Sequence, residues 1–245
     1  MRYATWMLLP IAGGLVSACS KGGGGTTPGP TPTTVIVSTP GRSLNAIGDT
    51  LTLSAAVLDQ NDAPMSGVTI TWSSLTPSVA IVSGGLVTAV ANGTSQIQAK
   101  AGKAAGQQTV TVQQVVKQLT KSSGDAQSGT TNTLLAQPLV VLAQDGNGHP
   151  VAGITISFTN GTGGGTFGAP ATATNALGKS QSTWTLGPSV GTQTAIASMT
   201  GALVNLADTF SATAAAPPPG PTITTVAPDT IVAGQSAVMR TTTSA

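Results

Sequence analysis

A short pattern occurs twice in the chain, and it constrains the fold more than any other feature. "PMSGVTITW" runs from Pro64 to Trp72, and "PVAGITISF" runs from Pro150 to Phe158, 86 positions later. Each copy starts with Pro-x-x-Gly, which is typical of a turn, and continues with alternating apolar and polar residues. Alternation with a period of two indicates a strand with one buried and one exposed face. The pattern therefore predicts two related β-rich units.

The alternation also predicts which side chains face each core. The segments before the two copies match in kind, "LTLSAAVLDQ" from Leu51 and "LVVLAQD" from Leu139. The joining segments "NDAP" and "GNGHP" carry turn residues, so each unit contains two strands joined by a turn. The side chains predicted to point inward are Val68, Ile70, Trp72, Ile154, Ile156 and Phe158.

The composition favours an all-β chain. Charged residues make up 7% and aromatic residues 3%, and no glutamate is present. Glutamate favours helices, whereas the abundant threonine and valine fit pleated strands. A hydrophobic content of 40% excludes a disordered composition. The net charge of +2, with scattered basic residues, predicts no nucleic-acid partner.

The N-terminus has the pattern of an export signal. Residues 1–3 include one positive charge, and residues 4–16 are apolar but too short for a permanent membrane helix. Val16-Ser17-Ala18-Cys19 then resembles a bacterial lipobox. The resemblance implies cleavage before Cys19, lipidation of its thiol and a membrane partner reached through N-terminal acyl chains. The alternative is an ordinary signal peptide cut after Ala18, which leaves a free thiol.

The segments beyond the signal define the predicted domain organisation. Gly22 to Gly25 and the run "TTPGPTPT" are typical of a flexible and then extended tether. Ser20, rather than an aspartate, follows the cysteine, which in proteobacterial lipoproteins favours the outer membrane. The predicted segments are a signal peptide 1–18, a tether 19–32, a first domain 33–114, a second domain 115–214, a proline-rich linker 215–221 and a partial further domain 222–245.

Both units resemble bacterial Ig-like domains. The first resembles the group 2 type through "VTITWSSLTPSVAIVSGGLVTAVANGTSQIQA", and the second resembles the group 1 type of invasin and intimin through "PLVVLAQDGNGHPVAGITISF", "GTFG" and "TNALGKSQSTWTLGPSVGTQTAIAS". The resemblance implies antiparallel β-sandwiches of seven or so strands. The weakly patterned start of the second unit, "SGDAQSGTTNT", leaves its first strand without a clear register. "PTITTVAPDTIVAGQSAVMR" resembles the start of an IPT/TIG-like domain, so we expect the chain to be a fragment of a longer array.

Two motifs look catalytic but lack the context that catalysis needs. "GGGTFG" at 163–168 fits a dinucleotide fingerprint, yet no helix pattern and no suitably spaced acidic residue follow it. "GPSVG" at 187–191 fits a nucleophile elbow, yet the only histidine, His149, precedes it. Both are predicted to be turns, and no catalytic residue or cofactor is expected.

Candidate metal ligands are equally sparse. "DGNGHP" starts like a calcium loop, but its twelfth position is Ile156, where such a loop needs a carboxylate. We therefore assign no metal site, and leave open a weak interdomain calcium site near Asp125, Asp145 or Asp208. Two glycosylation sequons, at Asn92 and Asn160, are interpreted as chance matches.

These observations favour a lipid-anchored, non-enzymatic cell-surface protein, acting as a structural stalk, an adhesin or both. The loops "DGNGHP" and "NGTGGGTFG" are the predicted binding surfaces for a host-cell or bacterial surface protein or glycan. The alternatives are the N-terminal stalk of a longer surface glycosidase or protease, and a carbohydrate-binding module.

Overall fold

Residues 28–39, 41, 43–200 and 205–220 are described by the computed structural model. Within these ranges the chain consists of β-strands and connecting loops, and no helix occurs that could cross a membrane. The predicted all-β class is confirmed. The predicted lipidation site Cys19, the signal peptide, most of the tether and the further domain at 222–245 lie outside the described residues.

The first sandwich combines nine strand segments in three hydrogen-bonded sheets, ordered β1-β3-β4, β2-β7-β6 and β5-β8-β9. The extended stretch from Thr50 to Asp59 belongs to two of these sheets, because the chain changes sheet at Leu53. The N–H of Leu53 donates to the Gly85 carbonyl. The segments are β1 (Pro32–Ser38), β2 (Thr50–Thr52), β3 (Ser54–Asp59), β4 (Pro64–Met65), β5 (Thr71–Ser74), β6 (Ala80–Ser83), β7 (Leu86–Ala89), β8 (Gly93–Ala101) and β9 (Ala104–Val112).

A two-glycine turn joins β6 to β7. Gly84 and Gly85 both have positive φ, 56° and 85°, as a tight hairpin turn requires. A Cβ at position 85 would lie 2.8 Å from the Leu53 carbonyl oxygen, whereas one at position 84 would meet nothing. Only a glycine fits position 85, because a side chain there would collide with backbone.

Two small hydrophobic clusters form the core of the first sandwich. One is centred on Leu44, Val87 and Ile97, and the other on Val35 and Ala99. Trp72 is only partly buried and packs against both clusters, so it joins them. Val68, Ile70 and Trp72 are more buried than the threonines between them, as predicted.

The second sandwich combines ten strand segments in three sheets, ordered β10-β12-β16, β11-β19-β18-β13-β15 and β14-β17. Its inward-facing residues again match the predicted alternation, since Ile156 and Phe158 are buried and Thr155 is exposed. The segments are β10 (Gln118–Ser123), β11 (Gln127–Thr130), β12 (Leu139–Gln144), β13 (Thr155–Thr162), β14 (Gly165–Phe167), β15 (Ala171–Ala173), β16 (Lys179–Ser182), β17 (Trp184–Leu186), β18 (Gly191–Thr200) and β19 (Asn205–Ala215).

The unclear register at the start of the second unit has a structural cause. β10 pairs with β12 in one sheet, and the chain then crosses to the other sheet, where β11 runs parallel to β19. The crossing segment contains Gly124 and Ala126, both with positive φ. A strand that changes sheets cannot keep one alternation of buried and exposed residues, so "SGDAQSG" carries no simple pattern.

A single aromatic cluster forms the core of the second sandwich. Trp184, Phe158 and Phe210 are its largest fully enclosed side chains. The indole of Trp184 stacks on the Phe167 ring, with ring centroids 6.3 Å apart. The cluster includes residues from Val116 to Ala214, whereas the clusters of the first sandwich lie between Val35 and Val112.

Candidate functional site: the junction between the sandwiches

The two motifs that resemble catalytic sites form turns at one end of the second sandwich. Gly163 and Gly164 turn the chain from β13 to β14, and a Cβ on Gly163 would collide with the Gln193 side chain. Ser189 lies in the loop before β18, where its carbonyl accepts a hydrogen bond of 2.6 Å from Gln193 Nε2. Gln193 is fully buried and also binds Gly187 through both ends of its amide. Its amide therefore holds the loop in place.

His149 lies far from that loop, on the segment from Asp145 to Pro150, here called the docking loop. The sequence predicted this loop as a binding surface at a sandwich end. In the structure the loop packs on the first sandwich. The contact point there is a turn of residues 45–49, here called the base turn.

The base turn is shaped by its own aspartate. Asp49 Oδ2 accepts hydrogen bonds from the backbone N–H groups of Asn45, at 2.9 Å, and Ala46, at 3.0 Å. Gly48, with φ of 82°, donates its N–H to the Ala89 carbonyl. These bonds leave the N–H and the C=O of Ile47 free to face the second sandwich.

The docking loop binds both groups of that one peptide unit. Asp145 Oδ2 accepts the Ile47 N–H at 3.0 Å, and Asn147 Nδ2 donates to the Ile47 carbonyl at 2.8 Å. The same Asn147 amide donates to Asp49 Oδ1 at 3.2 Å. Since a donor and an acceptor of one residue are both recognised, the contact fixes orientation as well as distance.

Asp145 is nearly enclosed, with 2% of its surface exposed, and each carboxylate oxygen has two donors. Oδ1 accepts the N–H groups of Asn147 and His149, at 3.0 and 2.9 Å, which shapes the docking loop. Oδ2 accepts the Gln114 amide at 2.9 Å in addition to Ile47. Burial acts to raise the pKa of Asp145, but hydrogen bonds from Gln114 and three backbone amides outweigh it, and the pKa is lowered.

The segment that connects the sandwiches is held along its length. The N–H groups of Gln113, Val115 and Lys117 donate to the carbonyls of Leu44, Asn45 and Gln144, in that order. Gln114 exchanges two hydrogen bonds with the Asn92 side chain and donates to Asp145 and the Pro150 carbonyl. Val116 is buried in the second core. A connector with its backbone bonded in this way does not act as a flexible hinge.

The structure does not bring the three candidate calcium ligands together. Asp125 pairs with Lys121 at 2.6 Å, and Asp208 accepts the Lys121 backbone N–H at 3.0 Å, whereas Asp145 lies in the junction. Burial acts to raise the pKa of Asp125, but bonds from Lys121 and from backbone amides lower it overall. Among the described residues, no group of three or more histidine, cysteine or acidic side chains could hold a metal ion.

The two sequon asparagines make structural hydrogen bonds. Asn92 bonds to Gln114 in the junction, and Asn160 Nδ2 donates to the Gly165 carbonyl at 2.8 Å. Sequence reasoning missed the roles of Asn92, Gln114 and the base turn. One signal was present: "DQNDAP" and "DGNGHP" share an aspartate, an asparagine and a proline at matching positions of the repeat.

Comparisons with known proteins agree with the resemblance drawn from the sequence. Residues 68–114 match the model of a family described as bacterial Ig-like domain. The expectation of bacterial Ig-like domains is thereby confirmed, with the family match covering the part of the first sandwich from β5 onward. No curated protein matches the chain by sequence.

Several solved structures are similar in fold. Domains 4 and 5 of the surface-layer protein SbsC are 20% identical, with a TM-score of 0.34 over 76% of this chain and 99% of that chain. The Yersinia pseudotuberculosis adhesin InvE is 16% identical, with a TM-score of 0.41 over 74% of this chain and 58% of that chain. The Escherichia coli adhesin FdeC is 18% identical, with a TM-score of 0.40 over 75% and 65%. The chain spans about a third, 32%, of SbsC domains 1–6. At these scores and identities the likeness carries no inference about function.

Proposed function

We propose that this protein is a lipid-anchored bacterial surface protein whose Ig-like modules form a stalk with adhesive capacity. The observation that carries the proposal is the junction. A buried carboxylate, a bonded connector and a shared peptide unit hold two sandwiches in one fixed arrangement. Fixed end-to-end sandwiches provide length without a flexible joint, which is what a stalk requires.

The anchor in this proposal is Cys19, supported by the lipobox-like residues before it. Lipidation would fix one end of the stalk at the outer membrane. Growth of cells with an alkyne-bearing fatty acid, followed by coupling to a fluorophore, should label the full chain. Cys19→Ala should remove the label and release the protein from the membrane fraction, whereas the neighbouring Ser20→Ala should retain both. Labelling that persists in Cys19→Ala would overturn the anchor.

The adhesive part is tested separately. Cells that display the full chain should bind host cells or neighbouring bacteria more than cells that lack it. If display adds no binding, the stalk remains and the adhesive part is refuted. In this proposal the chain has no catalytic role of its own, and hydrolysis of a glycoside or peptide by purified full chain would contradict it.

Two other readings are distinguished by direct measurements. A surface enzyme carried on this stalk would show as a catalytic domain encoded downstream of Ala245. Carbohydrate binding would show on a glycan array. The structure gives that reading little support, because Trp184 is enclosed and Trp72 packs against two core clusters.

A further inference from the structure

The first sandwich carries a loop that corresponds position by position to the docking loop. Asp59, Asn61 and Pro64 precede Asp145, Asn147 and Pro150 by the same 86 positions that separate the repeated strands. β2 and β3 run from the base turn to this loop, so it lies at the opposite end of the first sandwich. We call residues 59–64 the upper loop.

The two loops share their internal hydrogen bonds. Asp59 Oδ1 accepts the N–H groups of Asn61 and Ala63 at 2.8 and 2.9 Å, as Asp145 Oδ1 does in the docking loop. Asp59 donates its N–H to the Ala63 carbonyl, as Asp145 does to His149. Asp62 has a φ of 58°, and Gly148 at the equivalent position has 81°. The backbone of the upper loop is therefore already shaped for docking.

The difference lies in the second carboxylate oxygen. Asp145 Oδ2 is bound to Ile47 and Gln114, whereas Asp59 Oδ2 has no hydrogen-bond donor among the described residues. Asp59 is 7% exposed, yet Oδ2 is not among the fully buried unpaired atoms, so solvent reaches it. The Asn61 side chain is exposed and likewise has no partner among the described residues.

Residues 28–31, the described part of the chain that enters the first sandwich, do not supply the missing donors. Pro28 stands where Gln114 stands in the repeat, and a proline has neither a side-chain amide nor an N–H. Thr31 donates its N–H to Gln60 Oε1 at 2.9 Å rather than to Asp59. The upper loop thus has the same free carboxylate oxygen and side-chain amide that complete the junction between the sandwiches, and neither has a partner among the described residues.

We propose that the upper loop is a second docking site, which binds the base turn of another Ig-like sandwich through Asp59 Oδ2 and the Asn61 amide. The junction between the first and second sandwiches defines the chemistry of the partner. The partner is a β-sandwich with a turn in which one residue offers both its N–H and its C=O. The free oxygen fits an N–H donor, and the free amide fits a carbonyl. Docking at this site would add one more sandwich at the end of the first sandwich that carries Asp59. This holds whatever the protein's location in the cell.

The first test builds the missing junction. A duplicate of residues 32–117 is inserted between Thr31 and Pro32 of the full chain, so that its own base turn and Gln114 face the upper loop. Spin labels on Thr109 of the duplicate and on Thr69, in a Cys19→Ser background, report the distance across the new junction. The pair Thr109 and Thr155, which spans the natural junction in the same way, is the reference.

The expected result is a narrow distance distribution centred where the reference pair is centred. Asp59→Asn keeps Oδ1 for the loop's own amides but replaces the free acceptor with a donor, so it should broaden the distribution at least twofold. Asn61→Ala should broaden it as well. Asp62→Asn removes the same charge from the same loop without touching the site, and should leave the distribution unchanged. A broad distribution with Asp59 intact, or equal effects of the two aspartate variants, would overturn the proposal.

The second test needs no duplication. The substitutions Gly146→Gln, Gly148→Asp and His149→Ala give the docking loop the sequence of the upper loop in the otherwise natural chain. If the upper-loop sequence is competent, the Thr109 and Thr155 distance stays narrow and still broadens with Asp145→Asn. A junction that opens with the three substitutions alone would refute the proposal, even if the duplicated chain failed to fold.

Discussion

The two sandwiches share a repeat but fill their interiors differently. The second encloses Trp184, Phe158 and Phe210 completely in one cluster, whereas the first divides its core into two clusters joined by a half-buried Trp72. Buried aromatic rings contribute large apolar areas, and neither sandwich has a disulfide to compensate for a small core. A shared repeat therefore does not give the two sandwiches equal stability. We expect the second sandwich to unfold after the first.

The largest expected effect comes from removing the central indole of the second sandwich. Trp184→Ala should cost about 3–5 kcal/mol, because it leaves a cavity where no atom is exposed. Trp72→Ala should cost the first sandwich less, about 2 kcal/mol, since that ring is only partly buried. Differential scanning calorimetry checks both, through the transition that each variant lowers.

Trp184→Phe is the matched control for that experiment. Trp184 Nε1 is the one buried side-chain polar atom without a partner among the described residues, so its loss removes no hydrogen bond. The phenylalanine variant should keep most of the stability that the alanine variant loses. Equal losses in the two variants would show that ring volume is not what holds this core.

A side chain at position 85 should destabilise the first sandwich selectively, because it would collide with backbone. Gly85→Ala should cost about 2 kcal/mol, because it combines a φ of 85° with a Cβ 2.8 Å from the Leu53 carbonyl oxygen. Gly84→Ala, which meets open space, should cost about 1 kcal/mol. Urea unfolding followed by tryptophan fluorescence, analysed at the transition of the first sandwich, measures both. A larger effect at Gly84 would contradict the collision.

A smaller effect tests whether the two sandwiches stabilise each other. Asp145→Asn keeps the acceptor that shapes the docking loop but places an amide donor opposite Ile47 and Gln114. We expect a loss of about 1.5 kcal/mol of coupling between the sandwiches, in the range for hydrogen bonds to a charged group. In calorimetry the two transitions should then separate further. Unchanged separation would mean that the junction orients the sandwiches without stabilising them.

Acid should weaken the same junction reversibly. The pKa of Asp145 is below its usual value of 3.8, so its bonds stabilise the folded junction above that pH. The stabilisation is lost as the pH falls through the lowered pKa, when the carboxyl gains a proton. The coupling between the two transitions should therefore decline below about pH 4 in the natural chain. In Asp145→Asn it should not change with pH over that range.

Sequence alone predicted the features that depend on side-chain periodicity. The inward direction of Trp72, Ile156 and Phe158 follows from local alternation, and the structure confirms it. The junction was beyond reach, because its main contact on the first sandwich is the backbone of Ile47, which leaves no trace in residue identity. The aspartate that the upper loop and the docking loop share was visible in the sequence. An aspartate at that position is also typical of an isolated turn, so it did not indicate a junction. The structure has more strand segments per sandwich than the seven or so expected, because single residues such as Leu53 and Thr183 separate neighbouring segments.

The parallel pairing of β11 with β19 has a mechanical consequence. When a load pulls the start of the second sandwich away from its end, these two strands slide past each other lengthwise, and their hydrogen bonds resist together instead of parting one after another. In the first sandwich, one isolated bridge between Leu44 and Val112 is also parallel. We expect each module, stretched singly with optical tweezers, to yield abruptly at one high force rather than to unzip. Tension along the chain would thus be transmitted through the modules intact.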